Sequence, residues 1–227
     1  MAQAAERADG GGRRNPQRTR ARILEAARTA FCARGVDGAT MEDIARRAEV
    51  NKRMVYHYFG NKEDLYLAVL EDTYEDRRLH DSQLDLRHAD PQEGMRRLIR
   101  ASFDYCRRHP EYIKLLIVEN INGARHLRRS TKVHNLHLQV LDDIGELLQR
   151  GSRIGLFRAH ADPTQVFMTI ASLCFFYHSN NATLSAILES DLAAPLASTA
   201  REAHVEEVIM GYLRPRTERE GQPRTFA

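Results

Sequence analysis

The chain holds 227 residues, 42% hydrophobic and 29% charged, with a formal net charge of +3; this is ordinary globular composition, enough for one sizeable core or for a small domain joined to a larger one. Three scattered cysteines without a CxxC pair argue against a disulfide framework or a zinc finger, and no apolar run reaches the ~18–20 residues of a membrane helix or forms a signal-peptide core, so a cytoplasmic protein is expected. The charge is uneven: residues 1–62 carry thirteen Lys and Arg against seven Asp and Glu, a net of +6, which leaves −3 for the rest and suggests that the first part meets a polyanion.

Residues 1–16, with Gly10-Gly11-Gly12 and Arg13-Arg14, read as a disordered leader. From about Gln17 the apolar spacing turns helical through Ile23, Ala27, Ala30 and Phe31, and Arg34-Gly35 ends the element. Thr40 then offers a hydroxyl N-cap with Asp43 three residues on, and Met41, Ile44, Ala45 and Ala48 form the buried stripe of a short second helix. Glu49-Val50 is the turn. Asn51 caps a third short helix, roughly Lys52 to Tyr58, with Gly60 suited to a left-handed residue just past its end. Asn61 with Asp64 caps a fourth helix.

The remainder also carries helical spacing. Pro91 opens a fifth helix that His109-Pro110 breaks, and Tyr112 to Val118 is apolar on nearly every side, as a central buried helix would be. A long helix is expected over about Arg125 to Arg150, ended by Gly151 and Gly155. Others follow from Asp162-Pro163 and over about Leu196 to Leu213. No stretch alternates with period two for long enough to be a strand. The expected fold is all-α, about nine helices. The expected organisation is a leader over 1–16, a helix-turn-helix domain over 17–62, a larger helical domain over 63–213 and a flexible tail over 214–227.

Three short helices with a tight turn between the second and third are the ingredients of a DNA-binding helix-turn-helix, the third helix entering the major groove. On a helical wheel Val55 and Phe59 face one way and Arg53, Tyr56 and His57 the other. Arg53 can bond guanine O6 and N7 in a two-pronged manner, worth about 1–3 kcal/mol of discrimination. His57 can meet a base edge, Lys52 a base or a phosphate. Tyr56 and Tyr58 can donate hydroxyls to phosphates, and Thr40 and Lys62, at helix starts, are placed for the same task.

Residues 40–50, residues 51–65 with their Tyr56-x-Tyr58-Phe59-x-x-Lys62 run, and the preceding Ile23-Leu24-Glu25-Ala26-Ala27 with Phe31 and Gly35 resemble the DNA-binding segment of TetR-family repressors. The resemblance covers about residues 18–70. It implies phosphate contacts at Thr40, Tyr56, Tyr58 and Lys62 and base readers at Lys52, Arg53 and His57. The chain departs from the family pattern at Glu49, where glycine is common, and at Arg53, where a small residue is common. The C-terminal part, with its His109-Pro110-Glu111-Tyr112 run, is more weakly similar to one kind of TetR-family C-terminal domain.

The resemblance implies operator DNA as partner, a homodimer through the last two long helices, and a small-molecule effector. Phe167, Met168, Phe175 and Phe176 put apolar groups on more sides of the Pro163 helix than its own core needs. Polar residues in otherwise apolar helices are the expected pocket lining: Tyr105, Glu119, Asn120, Asn122, His134, His137 and Tyr177. His134 and His137 alone, without cysteines or a carboxylate cluster, make no metal site. No cofactor is implied. An enzyme is not expected, because no phosphate loop, nucleophile elbow or HExxH motif occurs.

Overall fold

The computed structural model describes residues 15–215, in which ten α-helices and one 3-10 turn account for the regular structure, and no strand occurs among the described residues. The helices are α1 (Pro16–Gly38), α2 (Met41–Arg47), α3 (Lys52–Phe59), α4 (Lys62–Ser82), α5 (Pro91–Arg108), α6 (Pro110–Ile121), α7 (Thr131–Arg153), α8 (Pro163–Ser179), α9 (Asn181–Ile187) and α10 (Pro195–Leu213). Two compact units divide between Val69 and Leu70, inside α4. Most of the expected leader and of the expected tail lies outside the described residues, but Asn15 and Pro16, expected in the leader, instead cap and open α1, because the Asn15 side chain accepts from Gln17 N and Arg18 N.

Local chemistry explains most of the helix starts. Proline stands at the first position of α1, α5, α6, α8 and α10, where a missing N–H costs nothing and the fixed φ suits the helix. Side-chain caps add to this. Asp90 Oδ1 accepts from Gln92 N at 3.0 Å and Glu93 N at 3.1 Å, and Asp162 does the same for Thr164 N and Gln165 N at 2.7 and 3.1 Å. Each such cap removes an orphan donor, at about 1 kcal/mol apiece.

In the first unit, Ile23, Ala27 and Phe31 of α1, Ile44 of α2, Val55 of α3 and Leu65 and Tyr66 of α4 are almost wholly buried. The Phe31 and Tyr66 rings meet edge to face at 5.0 Å between centroids. In the second unit one core joins Leu98, Ile99 and Phe103 of α5, Ile144 and Leu147 of α7, Val166, Ile170 and Cys174 of α8, and Val205, Ile209 and Leu213 of α10. Apart from the adjacent Leu98 and Ile99, these fall at spacings of three and four, the stripe that a partly exposed helix needs.

Several boundaries differ from the sequence expectation, each for a physical reason. Gly35 (φ 67°, ψ −177°) kinks α1, and a further turn follows it to Gly38. α7 begins at Thr131, not near Arg125. The buried Glu119 carboxylate captures the preceding segment, accepting from His126 N at 2.8 Å and Leu127 N at 3.0 Å, with His126 Nδ1 at 2.8 Å from its other oxygen. α6 is not a central helix: Ile113 and Leu115 are buried, but Ile117 and Ile121 are exposed. α9 is the helix beyond the nine expected; none of its residues is buried, so it has no apolar stripe to betray it. Gly151 does not end α7 but lies within it, against the Phe157 ring, where an added Cβ would stand 2.1 Å from Cδ2.

Gly151→Ala is expected to destabilise the protein. Overpacking against Phe157 costs about 1–3 kcal/mol, more than the ~1 kcal/mol that alanine gains over glycine inside a helix. Urea unfolding would read a lower midpoint; an unchanged or raised one would mean that Phe157 yields freely.

Candidate nucleic-acid interface and cavity

α2 and α3 are short, and both are held by side-chain caps. Thr40 Oγ1 accepts from Asp43 N at 3.1 Å, and Asn51 Oδ1 accepts from Arg53 N at 2.9 Å. Hydrogen bonding with Thr40 is the main cause that holds the Asp43 carboxyl below its usual range, with Arg34 and Arg46 beside it adding to the effect. Between the helices Glu49 takes a left-handed conformation (φ 49°), which is why glycine is the easier residue there. Arg22 of α1 braces this turn, donating to the carbonyls of Ala48 and Glu49 and pairing with the Glu49 carboxylate at 3.0 Å.

Val55 and Phe59 anchor α3 in the core, and Lys52, Arg53, Tyr56 and His57 are exposed together on its other side. The Arg53 guanidinium has no hydrogen bond or ion pair among the described residues. Lys52, by contrast, is paired: its ammonium bonds the Glu42 carboxylate of α2 and lies 5.7 Å from the Tyr56 ring centroid. That bond pushes the Lys52 ammonium up and the Glu42 carboxyl down. Tyr58 is half-buried, its ring edge-to-face with His57 at 5.5 Å. Lys62 is not a free cation. Its Nζ donates to the carbonyls of Asp37 and Ala39, each at 3.3 Å, tying the start of α4 to the loop before α2. Lys52, Arg53, Tyr56 and His57 thus form one exposed group with Tyr58 at its edge, Thr40 is exposed at the start of α2, and Lys62 has a structural tie of its own.

A cavity of about 370 Å³ lies within the second unit, lined by α4, α5, α6, α7 and α8. Its walls are largely apolar: Leu98, Leu116, Leu136, Val140, Ile144, Phe167, Ile170 and Phe175, with the rings of Tyr74 and Tyr112. The polar groups are Arg77, Arg78 and Asp81 of α4, with Ser102, His137 and Ser172. Arg77 Nε donates to Asp81 Oδ2 at 3.1 Å and its Nη2 to Ser102 Oγ at 2.9 Å. Arg78 is held by Asp143 at 2.7 Å. Burial pushes the Cys106 and Cys174 thiols up to about 11 and about 12, so both stay protonated at neutral pH. Burial also lowers the His137 imidazole, with His134 nearby adding to it, which favours the neutral ring.

Of the seven residues expected to line a pocket, His137 alone does so, its ring edge-to-face on Phe167 at 4.5 Å. The other six lie elsewhere for identifiable reasons. Glu119 is consumed by His126 and Leu127. Asn120 and Asn122 donate to the carbonyls of Leu116 and Val118 within their own helix end. His134 is exposed, and Tyr177 gives its hydroxyl to the Leu192 carbonyl. Tyr105 is buried behind the cavity, stacked on His109 at 4.1 Å and facing the Arg77 guanidinium at 4.7 Å. The sequence reading missed Arg77 and Asp81. Their signal is position: they continue the Tyr66, Leu70, Thr73 face of α4, three buried residues, at spacings of three and four.

Residues 23–69 match the family model described as bacterial regulatory proteins, tetR family, and residues 91–209 match that of the tetracyclin repressor-like C-terminal domain. The chain is 36% identical over 197 residues to the HTH-type transcriptional repressor NicS of Pseudomonas putida, covering 87% of this chain and 93% of that protein. It is 36% identical over 201 residues to the HTH-type transcriptional regulator TtgR of the same species, covering 87% and 81%. A putative transcriptional regulator from Streptomyces coelicolor, SCO4942, has a similar structure, with a TM-score of 0.65 at 25% identity over 86% of this chain and 98% of that one.

Lys62→Ala is expected to lower thermal stability, because two charge-assisted bonds to the Asp37 and Ala39 carbonyls disappear at roughly 1–2 kcal/mol together. Differential scanning calorimetry would read the loss without any ligand present; an unchanged unfolding temperature would leave Lys62 no structural part.

Proposed function

The chain belongs to the TetR family of bacterial transcriptional regulators, and from that premise we propose that it is a homodimeric repressor released from operator DNA by a small molecule held in the cavity. The observation that carries this reading is the exposed Arg53, Tyr56 and His57 face of α3, anchored from behind by Val55 and Phe59. Arg53, Lys52 and His57 read base edges. Thr40, Tyr56, Tyr58 and Lys62 hold phosphates; Lys62 does so from a position already fixed by two carbonyls, so its backbone N–H at the start of α4 stays in register.

Dimerisation is assigned to α8 and α10, which pack on each other and leave Met168, Phe176, Val208 and Tyr212 exposed on the outside. Large side chains left in water on two neighbouring helices favour a twofold contact with a second copy. The residues over 63–213 then form an effector and dimerisation domain, and those over 17–62 a reading domain. The cavity supports binding and not chemistry, since its thiols are protonated and its apolar walls offer no activated nucleophile. Among the described residues no helix is long and apolar enough to cross a membrane, and a regulator acting on the chromosome works in the cytoplasm. α4 carries Lys62 at its start and Arg77 and Asp81 further on, so a change at the cavity reaches the reading domain along one helix.

Binding to duplexes from the protein's own upstream DNA should weaken steeply as salt rises. Arg53→Ala is expected to lower affinity about tenfold to a hundredfold and to relax preference at one base position. Fluorescence anisotropy with a randomised operator library reads both. Equal base preferences in the two proteins would remove Arg53 from the readers, and no salt-sensitive affinity in the wild type would sink the reading as a whole.

A further inference from the structure

Most cations of the first unit are already matched. Arg22, Arg28, Arg34, Arg46 and Lys52 each meet a carboxylate, and Lys62 is tied to two carbonyls. Arg18, Arg20, Arg47 and Arg53 are exposed, and their side chains have no hydrogen bond or ion pair among the described residues. Arg53 belongs to the reading face of α3. Of the other three, Arg20 is the one held against that helix: its guanidinium carbon lies 5.3 Å from the centroid of the Phe59 ring.

Phe59 is the last residue of α3 and is 8% exposed, so its ring is a fixed shelf. Attraction to a ring quadrupole steadies a guanidinium while leaving most of its five N–H donors uncommitted. Position decides what those donors meet. Eight residues make α3 about 12 Å long, close to the ~12 Å width of the major groove, and a recognition helix reads bases from its N-terminal part. Its C-terminal end then lies toward the sugar–phosphate wall. Arg20 stands at that end, where the Tyr58 ring adjoins Phe59 at 6.4 Å between centroids. The first turns of α1 thus touch both limits of α3, through Arg22 at the turn before it and Arg20 at its close.

We propose that Arg20 is a phosphate contact, supplied by α1 and not by the helix-turn-helix itself, that clamps the duplex backbone at the C-terminal end of α3. This deepens the DNA-binding reading given above and rests on it. The planar fork suits two oxygens of one phosphate. The Phe59 shelf places it in advance, and no carboxylate has to be left behind, unlike the case of Lys52. Arg20 contributes affinity and not base preference.

Fluorescence anisotropy of the full-length protein on a duplex from its own upstream DNA, over a series of KCl concentrations, tests this. Arg20→Ala should bind about tenfold more weakly at about 0.1 M salt, and the slope of log affinity against log salt should fall by about one unit per copy, about two for a dimer. Base preferences in a randomised library should stay those of the wild type. Arg20→Lys should keep most of the slope, because the charge stays. Arg47→Ala removes an equally exposed and unpaired charge from the end of α2. It should leave the slope near the wild-type value. Arg20 has no bond within the protein to lose, so circular dichroism and the unfolding temperature of Arg20→Ala should match the wild type; if they do not, Arg20→Gln is read in its place. An unchanged slope, an equal fall in Arg47→Ala, a fall in Arg20→Lys as large as in Arg20→Ala, or an altered base preference would each overturn the proposal. Salt-sensitive binding of the wild type with Arg20→Ala unaffected removes this contact alone, whereas a wild type without salt-sensitive binding removes the reading beneath it as well.

Discussion

Arg22 reaches from α1 to the carbonyl oxygens of Ala48 and Glu49, at the point where the chain leaves α2 and turns toward α3. Such carbonyls have no helical donor left, and the turn is too short to fold back and supply one. The guanidinium supplies it from a third helix and fixes the turn against α1. The left-handed Glu49 then lets the chain reverse within a few residues, and Asn51 caps the next helix at once. What α3 presents depends on this brace, because an eight-residue helix in isolation would not hold its own shape.

Electrostatic pairing shapes both functional regions, in opposite senses. On α3 the Arg53 guanidinium is left without a partner while its neighbour Lys52 is matched to Glu42. In the cavity the cations are matched and an anionic oxygen is left over. One region therefore offers a planar donor array to whatever approaches from water. The other has its cations already matched by neighbouring carboxylates, which leaves its apolar walls to set what enters.

The parts of the molecule governed by near neighbours in sequence were legible. Thr40 with Asp43, Asn51, Asn61 with Asp64, and Asp162-Pro163 each act within four residues, and each is found as expected. The exposed face of α3 follows from the same short-range geometry. The cavity was not legible, because it is made by five helices whose mutual placement no local pattern records. Reading polar residues out of apolar helices selected Glu119, Asn120 and Asn122, and these serve the end of α6 and the link to α7. The groups that do line the cavity, Arg77 and Asp81, look in sequence like a solvent-facing i, i+4 pair. Only their continuation of the buried α4 face distinguishes them. Gly151 misled for a related reason: a glycine inside a helix, kept for a ring that packs on it from outside, has the same appearance as one that ends it.

The Glu42–Lys52 pair has a consequence for the ionic accounting of DNA binding. A lysine that approaches DNA from water exchanges places with a small cation condensed on the duplex, and that cation escapes into solution. Lys52 carries its own tethered counter-anion. Were Lys52 to approach the duplex, it would free a condensed cation but expose Glu42, which would collect a cation in return or sit as a negative charge beside the backbone. The net release from such a contact approaches zero, so counting the cations on this face overstates how steeply salt acts. Any contact of Lys52 with DNA would then depend on geometry more than on ionic strength.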